Sequence, residues 1–198
     1  GLHREVPVVH GMSKIEGCVD RTGAGSYRKV SNAKVNEMTD LFKNAARSAT
    51  LSMREVFPAT PLMRNEHLSE KYNADIWLKR EDLSPVRSYK LRGAFNAMRK
   101  VIPEQAVFVC ASAGNHAQGV AFMCSHFGVK GVIFMPVTTP QQKIQKTKIF
   151  GGPQVEVRLV GDYFDKTLQA AQQYCTEKGA HFLSPFDDED VIEGQASV

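Results

Sequence analysis

Apolar residues recur along this chain first with a helical period and then in short runs separated by helical stretches. From 33 to about 56 the positions Val35, Met38, Leu41/Phe42 and Ala45/Ala46 line one face, with Asn32 as a possible cap and Pro58 as a stop. A shorter helix is predicted over 66–72 and a short strand over 74–78. Leu91, Ala94/Phe95, Met98 and Val101 share a face of a helix over 88–101, opened by Ser88 and closed by Pro103. Beyond 105 the pattern changes. Apolar runs at 107–110, 131–135, 155–160 and 181–183 alternate with helical stretches at 115–127, 140–150 and 163–178, and glycines close the helices at Gly128, Gly151/Gly152 and Gly179. Such alternation predicts an α/β fold, a parallel sheet with helices on both faces. Residues 1–32 show no period and read as a disordered extension. Residues 105–198 read as a complete small parallel α/β domain, within which 106–186 is expected to fold independently as four strands.

Composition narrows the function without naming it. The 198 residues are 42% hydrophobic and 23% charged, as in an ordinary soluble protein. No apolar run approaches the roughly 18 residues that would cross a membrane. The first residues, with early charge and Pro7, resemble no secretory leader, and Glu5, Glu16 and Asp20 argue against a transit peptide. Cys18, Cys110, Cys124 and Cys175 are scattered without C-x-x-C spacing, which points away from zinc and disulfides and toward a reducing, cytoplasmic compartment, with an organelle as the eukaryotic alternative. A net charge of +4 without any basic block interleaved with aromatics gives no nucleic-acid signature. The acidic run Asp187–Asp190 lacks the glycine and terminal glutamate of a calcium loop and reads as a solvated loop; no metal is expected.

Two stretches carry chemistry. In V-R-S-Y-K-L-R-G-A (86–94), Lys90 and Arg92 occupy a helix first turn, where the dipole favours acids, and Arg87 precedes it. Such crowding is expected to lower a lysine's proton affinity and suit it to form a Schiff base with a carbonyl compound. The alternative is that all three cations face water. In V-F-V-C-A-S-A-G-N-H-A-Q-G-V-A (107–121), an apolar run enters a tight turn and then a small-residue helix, a geometry that gathers backbone N–H groups into an anion site. Ser112 can cap that helix, Gly114 can let a ligand approach, and Asn115 offers a donor and an acceptor. An ordinary well-capped turn would look the same. Thr139–Pro140 and Asp162 read as helix starts, and His116 as a packing residue, with a catalytic role as the alternative.

Together these stretches resemble the fold-type II pyridoxal-phosphate enzymes (the tryptophan synthase beta-like fold), and within them the threonine dehydratase (threonine ammonia-lyase) group. The likeness runs from about Leu51 onward through P-A-T-P-L, W-L-K-R-E-D-L, V-R-S-Y-K-L-R-G-A, A-S-A-G-N-H-A-Q-G-V-A, F-M-P-V-T-T-P-Q-Q-K, G-D-Y-F-D and P-F-D-D-E-D-V-I-E-G-Q. The resemblance implies that pyridoxal 5'-phosphate is the cofactor and that Lys90 bonds it and serves as the base at Cα. It further implies that Tyr89 lies beside the ring, and that Asn115 meets the cofactor's phenolic oxygen. Ser112, Ala113, Gly114 and Asn115 would bind the substrate carboxylate. Threonine would give 2-oxobutanoate and ammonia, and serine pyruvate. Residues 33–104 then correspond to the N-terminal part of a large domain. The glycine-rich phosphate loop and the residue at the pyridine nitrogen are not in the sequence, so the chain is expected to be truncated, completed by a missing C-terminal portion or within an assembly such as a homo-oligomer. A serine racemase, another enzyme of the fold, and an inactive remnant that binds a partner are the alternatives.

Overall fold

Residues 15–19, 25–29, 32–102 and 104–198 are described by the structure, a computed structural model. The chain divides into two units, Gly1–Asn44 and Ala45–Val198. In the first, β1 (Ile15–Val19) pairs antiparallel with β2 (Gly25–Lys29), placing Ile15 opposite Lys29. No strand was expected there; the rest of the predicted disordered extension lies outside the described residues. Helix α1 (Asn32–Met53) spans the boundary. Its expected apolar face is exposed at Met38, Leu41 and Phe42, and burial begins only at Ala49 and Met53.

The second unit opens with a small antiparallel pair, β3 (Leu62–Arg64) and β4 (Trp77–Lys79), with α2 (Glu66–Tyr72) between them. Asn65 caps α2 by accepting from the Leu68 N–H at 2.9 Å. After a short 3-10 turn at Glu81–Leu83 comes α3 (Lys90–Val101). Four parallel strands follow: β5 (Val107–Ala111), β6 (Lys130–Met135), β7 (Val155–Leu159) and β8 (His181–Phe182). They alternate with α4 (Asn115–Phe127), α5 (Gln141–Gly151) and α6 (Phe164–Lys178). Helix α4 ends at Gly128 and α6 at Gly179, both left-handed at φ 68° and 62°, where any other side chain would strain the backbone. A last helix, α7 (Glu189–Gln195), is capped by Asp188 and was not expected from the sequence; its short polar span gives no clear period.

Strand order in the sheet is β7-β6-β5-β8. The chain therefore leaves β5 toward β6 and β7, then crosses back to place β8 on β5's other side. Open α/β sheets bind ligands beyond the carboxyl ends of strands at such a reversal. Both faces are covered, as the sequence implies. Phe108, Cys110, Ile133 and Met135 join the core formed with α3 and α4, while Val109, Ala111, Val132 and Phe134 pack with Ala171 of α6. That two-sided burial explains why V-F-V-C-A is apolar at every position.

One buried core runs across the expected boundary at 104/105. Leu91, Ala94, Phe95, Ala97 and Met98 of α3 belong to the same buried core as Phe108, Val120 and Met123, and Phe95 stacks on Phe127 at 5.7 Å. Helix α3 packs on α4, so a segment cut at 106–186 would leave that face of α4 uncovered.

Candidate active site

At the reversal between β5 and β8, two strand exits lie side by side: Ser112–Gly114 after β5 and Leu183–Phe186 after β8. Ser112 extends the sheet, its N–H donating to Phe134 O at 3.0 Å, and its hydroxyl accepts from the Gly114 N–H at 3.2 Å. Ser112 thus braces the turn rather than capping the helix proper. The first bond of α4 runs from the Gln118 N–H to Gly114 O, so the amides of Asn115, His116 and Ala117 have no helical acceptor. No acid occupies the first turn, and a Cβ added at Gly114 would meet nothing within 4 Å. The result is an open, electropositive helix start, with the exposed Asn115 amide at its edge. Ala113 is half-buried and packs against the main core.

Lys90 arrives at the same place from α3. Its amine donates to Pro185 O at 3.3 Å and lies 5.3 Å from the centre of the exposed Tyr89 ring. Among the described residues it forms no ion pair, whereas Lys43, Lys100 and Lys166 each meet a carboxylate. The loop before it is built by Ser84, whose hydroxyl donates to Ser88 O at 3.1 Å and accepts from the Ser88 N–H at 3.0 Å. Ser88 in turn accepts from the Lys90 N–H at 3.2 Å, but the cap position of α3 is Tyr89, which makes no side-chain capping bond, so Ser88 braces the turn instead of capping the helix as expected. Arg87 sits between them at φ 58°, a left-handed conformation that costs a side-chain-bearing residue energy.

The expected crowd of three cations is not present. Arg92 is fully buried and turned away from Lys90 into a clamp. Its guanidinium donates to both Glu81 oxygens at 2.8 Å, to Ser197 O at 3.0 Å and to Thr60 Oγ1 at 3.3 Å. Burial pushes the Glu81 carboxyl up, but hydrogen bonds from Arg92 and Thr60 outweigh it and hold the group below its ordinary value. Arg92 is therefore neither facing water nor crowding the lysine, because Glu81 cancels its charge. Nothing local in W-L-K-R-E-D-L marks Glu81 as that partner; only the fold brings it to α3.

His116 is buried as a packing residue, with Nε2 3.0 Å from Leu183 O. A carbonyl only accepts, so Nε2 carries the proton and Nδ1 is left buried without a partner. Burial pushes the imidazole down to about 4; the bond to Leu183 opposes this and the Lys90 charge adds to it.

Other expected helix starts differ in detail. Pro140 is itself the cap position of α5, and Thr139 makes no capping bond; its buried hydroxyl has no partner. Asp162 does not cap α6 but pairs with Lys166 at 3.6 Å. In the acidic run Asp187–Asp190, Asp188 caps α7 and Asp190 pairs with Lys100, and no metal-binding cluster occurs among the described residues. Cys110, Cys124 and Cys175 are free thiols; burial raises all three, Cys124 to about 12 and Cys175 to about 11, so they are inert. No described helix is long and apolar enough to cross a membrane.

The biosynthetic L-threonine dehydratase IlvA of Bacillus subtilis is 49% identical over 149 residues, covering 74% of this chain and 35% of that protein. Threonine deaminase isoform 2 of Solanum lycopersicum, in its processed form, superposes with a TM-score of 0.70 at 36% identity, covering 78% of this chain and 43% of that one. Maize serine racemase reaches the same TM-score at 22% identity over 76% of this chain and 46% of that one, which shows a shared fold. This chain spans about a third of the length of the curated relatives it matches. Residues 54–198 match the model of the pyridoxal-phosphate dependent enzymes, most of the chain, and the protein belongs to that family.

Proposed function

We propose that this chain carries the lysine and substrate-carboxylate side of a pyridoxal 5'-phosphate site for β-elimination and deamination of L-threonine and L-serine. The observation that carries the proposal is Lys90: an amine with no ion-pair partner among the described residues, at the sheet's reversal point, beside an acid-free helix start. The residues fit the cofactor. The acid-free start of α4 offers free backbone amides to an anionic group, and the turn at Gly114 is open before it, since even an added Cβ would meet nothing within 4 Å.

Lys90 would hold the cofactor by its aldehyde, with Tyr89 and Asn115 beside it. When bound, the cofactor's ring takes up the electron pair left at the substrate's Cα. The protein's own part is binding, orientation and proton transfer. The free amides of Asn115, His116 and Ala117, with the Ser112–Gly114 turn, would fix the substrate carboxylate and so the direction of the Cα–H bond. Lys90 Nζ would accept the proton from Cα. Loss of the β-hydroxyl then leads to 2-oxobutanoate and ammonia, or to pyruvate from serine. The substrate is a small hydroxy amino acid, and the enzyme works in a reducing, cytoplasmic or organellar, compartment. The phosphate grip and the contact to the pyridine nitrogen would come from a C-terminal portion or another subunit, with a homo-oligomer as the natural assembly. A racemase reading draws on fold likeness at 22% identity, against 49% for the dehydratase.

Borohydride reduction of the chain mixed with pyridoxal phosphate, followed by peptide mapping, tests the assignment. The reduced adduct is expected on Lys90 and lost in Lys90→Ala. Label on another lysine with Lys90 bare would overturn it.

A further inference from the structure

Three segments distant in sequence meet at the mouth of the reversal point: the start of α3, the start of α4 and the exit of β8. Helix α3 rests directly on α4, since a Cβ added at Gly119 would come within 3.1 Å of the Lys90 backbone. On the exit of β8, the Leu183 N–H is held by Val109 O at 2.8 Å and Leu183 O by His116 Nε2 at 3.0 Å. Two residues later, Pro185 O receives the Lys90 amine at 3.3 Å. Between them, the Ser184 hydroxyl bonds only within its own loop, to Asp187 and the Phe186 N–H.

We propose that His116 is a positioning residue for Lys90: it ties the 183–185 backbone to α4, and that backbone sets where the Lys90 amine rests. The proposal deepens the reading of Lys90 given above and rests on it. Packing alone does not call for an imidazole here. A leucine would fill comparable space without leaving the acceptor Nδ1 buried and unpaired. What the imidazole adds is the donor to Leu183 O, on the strand exit that holds the lysine. The side chain reaches no reacting atom itself, so its effect on chemistry passes through Lys90.

The test reads the lysine directly, in the intact chain. Reductive methylation with formaldehyde and cyanoborohydride, followed by peptide mapping, gives the rate at Lys90 relative to the exposed Lys148 in the same sample. His116→Gln keeps a donor and is expected to hold the wild-type ratio within about twofold. His116→Leu removes the donor and is expected to change the ratio at least threefold, while circular dichroism and a thermal melt show a folded chain. If that variant does not fold, His116→Asn, with its shorter amide, takes its place. A folded His116→Leu (or His116→Asn) chain with the wild-type ratio overturns the proposal, as does His116→Gln shifting the ratio as far as leucine does. Borohydride-fixed pyridoxal phosphate on another lysine with Lys90 bare overturns the cofactor assignment instead, and the methylation ratio still decides the role of His116.

Discussion

Arg92 shows how a charge that looks reactive in sequence becomes structural in the fold. Its guanidinium joins the P-A-T-P-L turn through Thr60, the W-L-K-R-E-D-L segment through Glu81 and the last residues through Ser197. Arg92→Met would leave the largely enclosed Glu81 carboxylate without its ion-pair partner and Ser197 O unpaired. A loss of about 3–5 kcal/mol is expected in urea unfolding, the usual cost of breaking a buried pair from one side. An unchanged midpoint would mean that water reaches the Glu81 carboxylate. His116 makes a second prediction, in pH. Its native value of about 4 lies below the ordinary 6.5, so between these values the unfolded chain binds the proton and the native one does not. Stability is then fully present above about 6.5 and falls as the pH drops toward 4. Urea unfolding at pH 7 and pH 5 is expected to show the wild type losing about 2 kcal/mol more than His116→Gln over that interval.

At the scale of elements, the glycines of L-R-G-A and E-G-Q are packing residues. Helices α3 and α7 touch through them: a Cβ on Gly194 would stand 2.4 Å from Arg92 O and 2.7 Å from Gly93 Cα. Backbone cannot yield as a flexible side chain can. Gly194→Ala is expected to destabilise by about 1–3 kcal/mol, as overpacking does, despite alanine's better helix propensity. A stabilised variant in thermal melts would show that α7 is not docked on α3 as seen. Met53 and Phe57 join α3 and α4 in the same buried core, which is why the unit begins far upstream of the β/α alternation. An amphipathic helix names its buried face but not the partner that covers it.

For the molecule as a whole, the reversal of strand order next to β5 gathers the candidate site, yet the phosphate loop implied by the family resemblance is not among the 198 residues. The cofactor's phosphate carries nearly two charges, and each charge-assisted hydrogen bond to it is worth roughly 1.5–3 kcal/mol. Without several of these, cofactor affinity should fall by orders of magnitude. Little or no 2-oxobutanoate is therefore expected from threonine with the 198-residue chain alone, and activity is expected once the remainder is supplied in a longer chain or a second one. Robust turnover by the short chain, lost in Lys90→Ala, would sink this and assign the phosphate to the Ser112–Asn115 turn.

Most elements were legible in the residues because their causes are local. Apolar runs, helical spacing and glycine stops place the four strands of the sheet and helices α2 to α6 to within a few residues, and the two motifs single out Lys90 and Asn115. The fold decided what depends on residues distant in the chain. Strand order, and so the place where the two exits meet, follows from pairings between β5 and β8, which lie some seventy residues apart. Whether Arg92 faced water or Glu81, and whether His116 packed idly or held the exit of β8, turned on partners that no local pattern could name. Helix α7 and the boundary near residue 45 escaped for the same reason, since a short helix and a domain edge are defined by what they pack against.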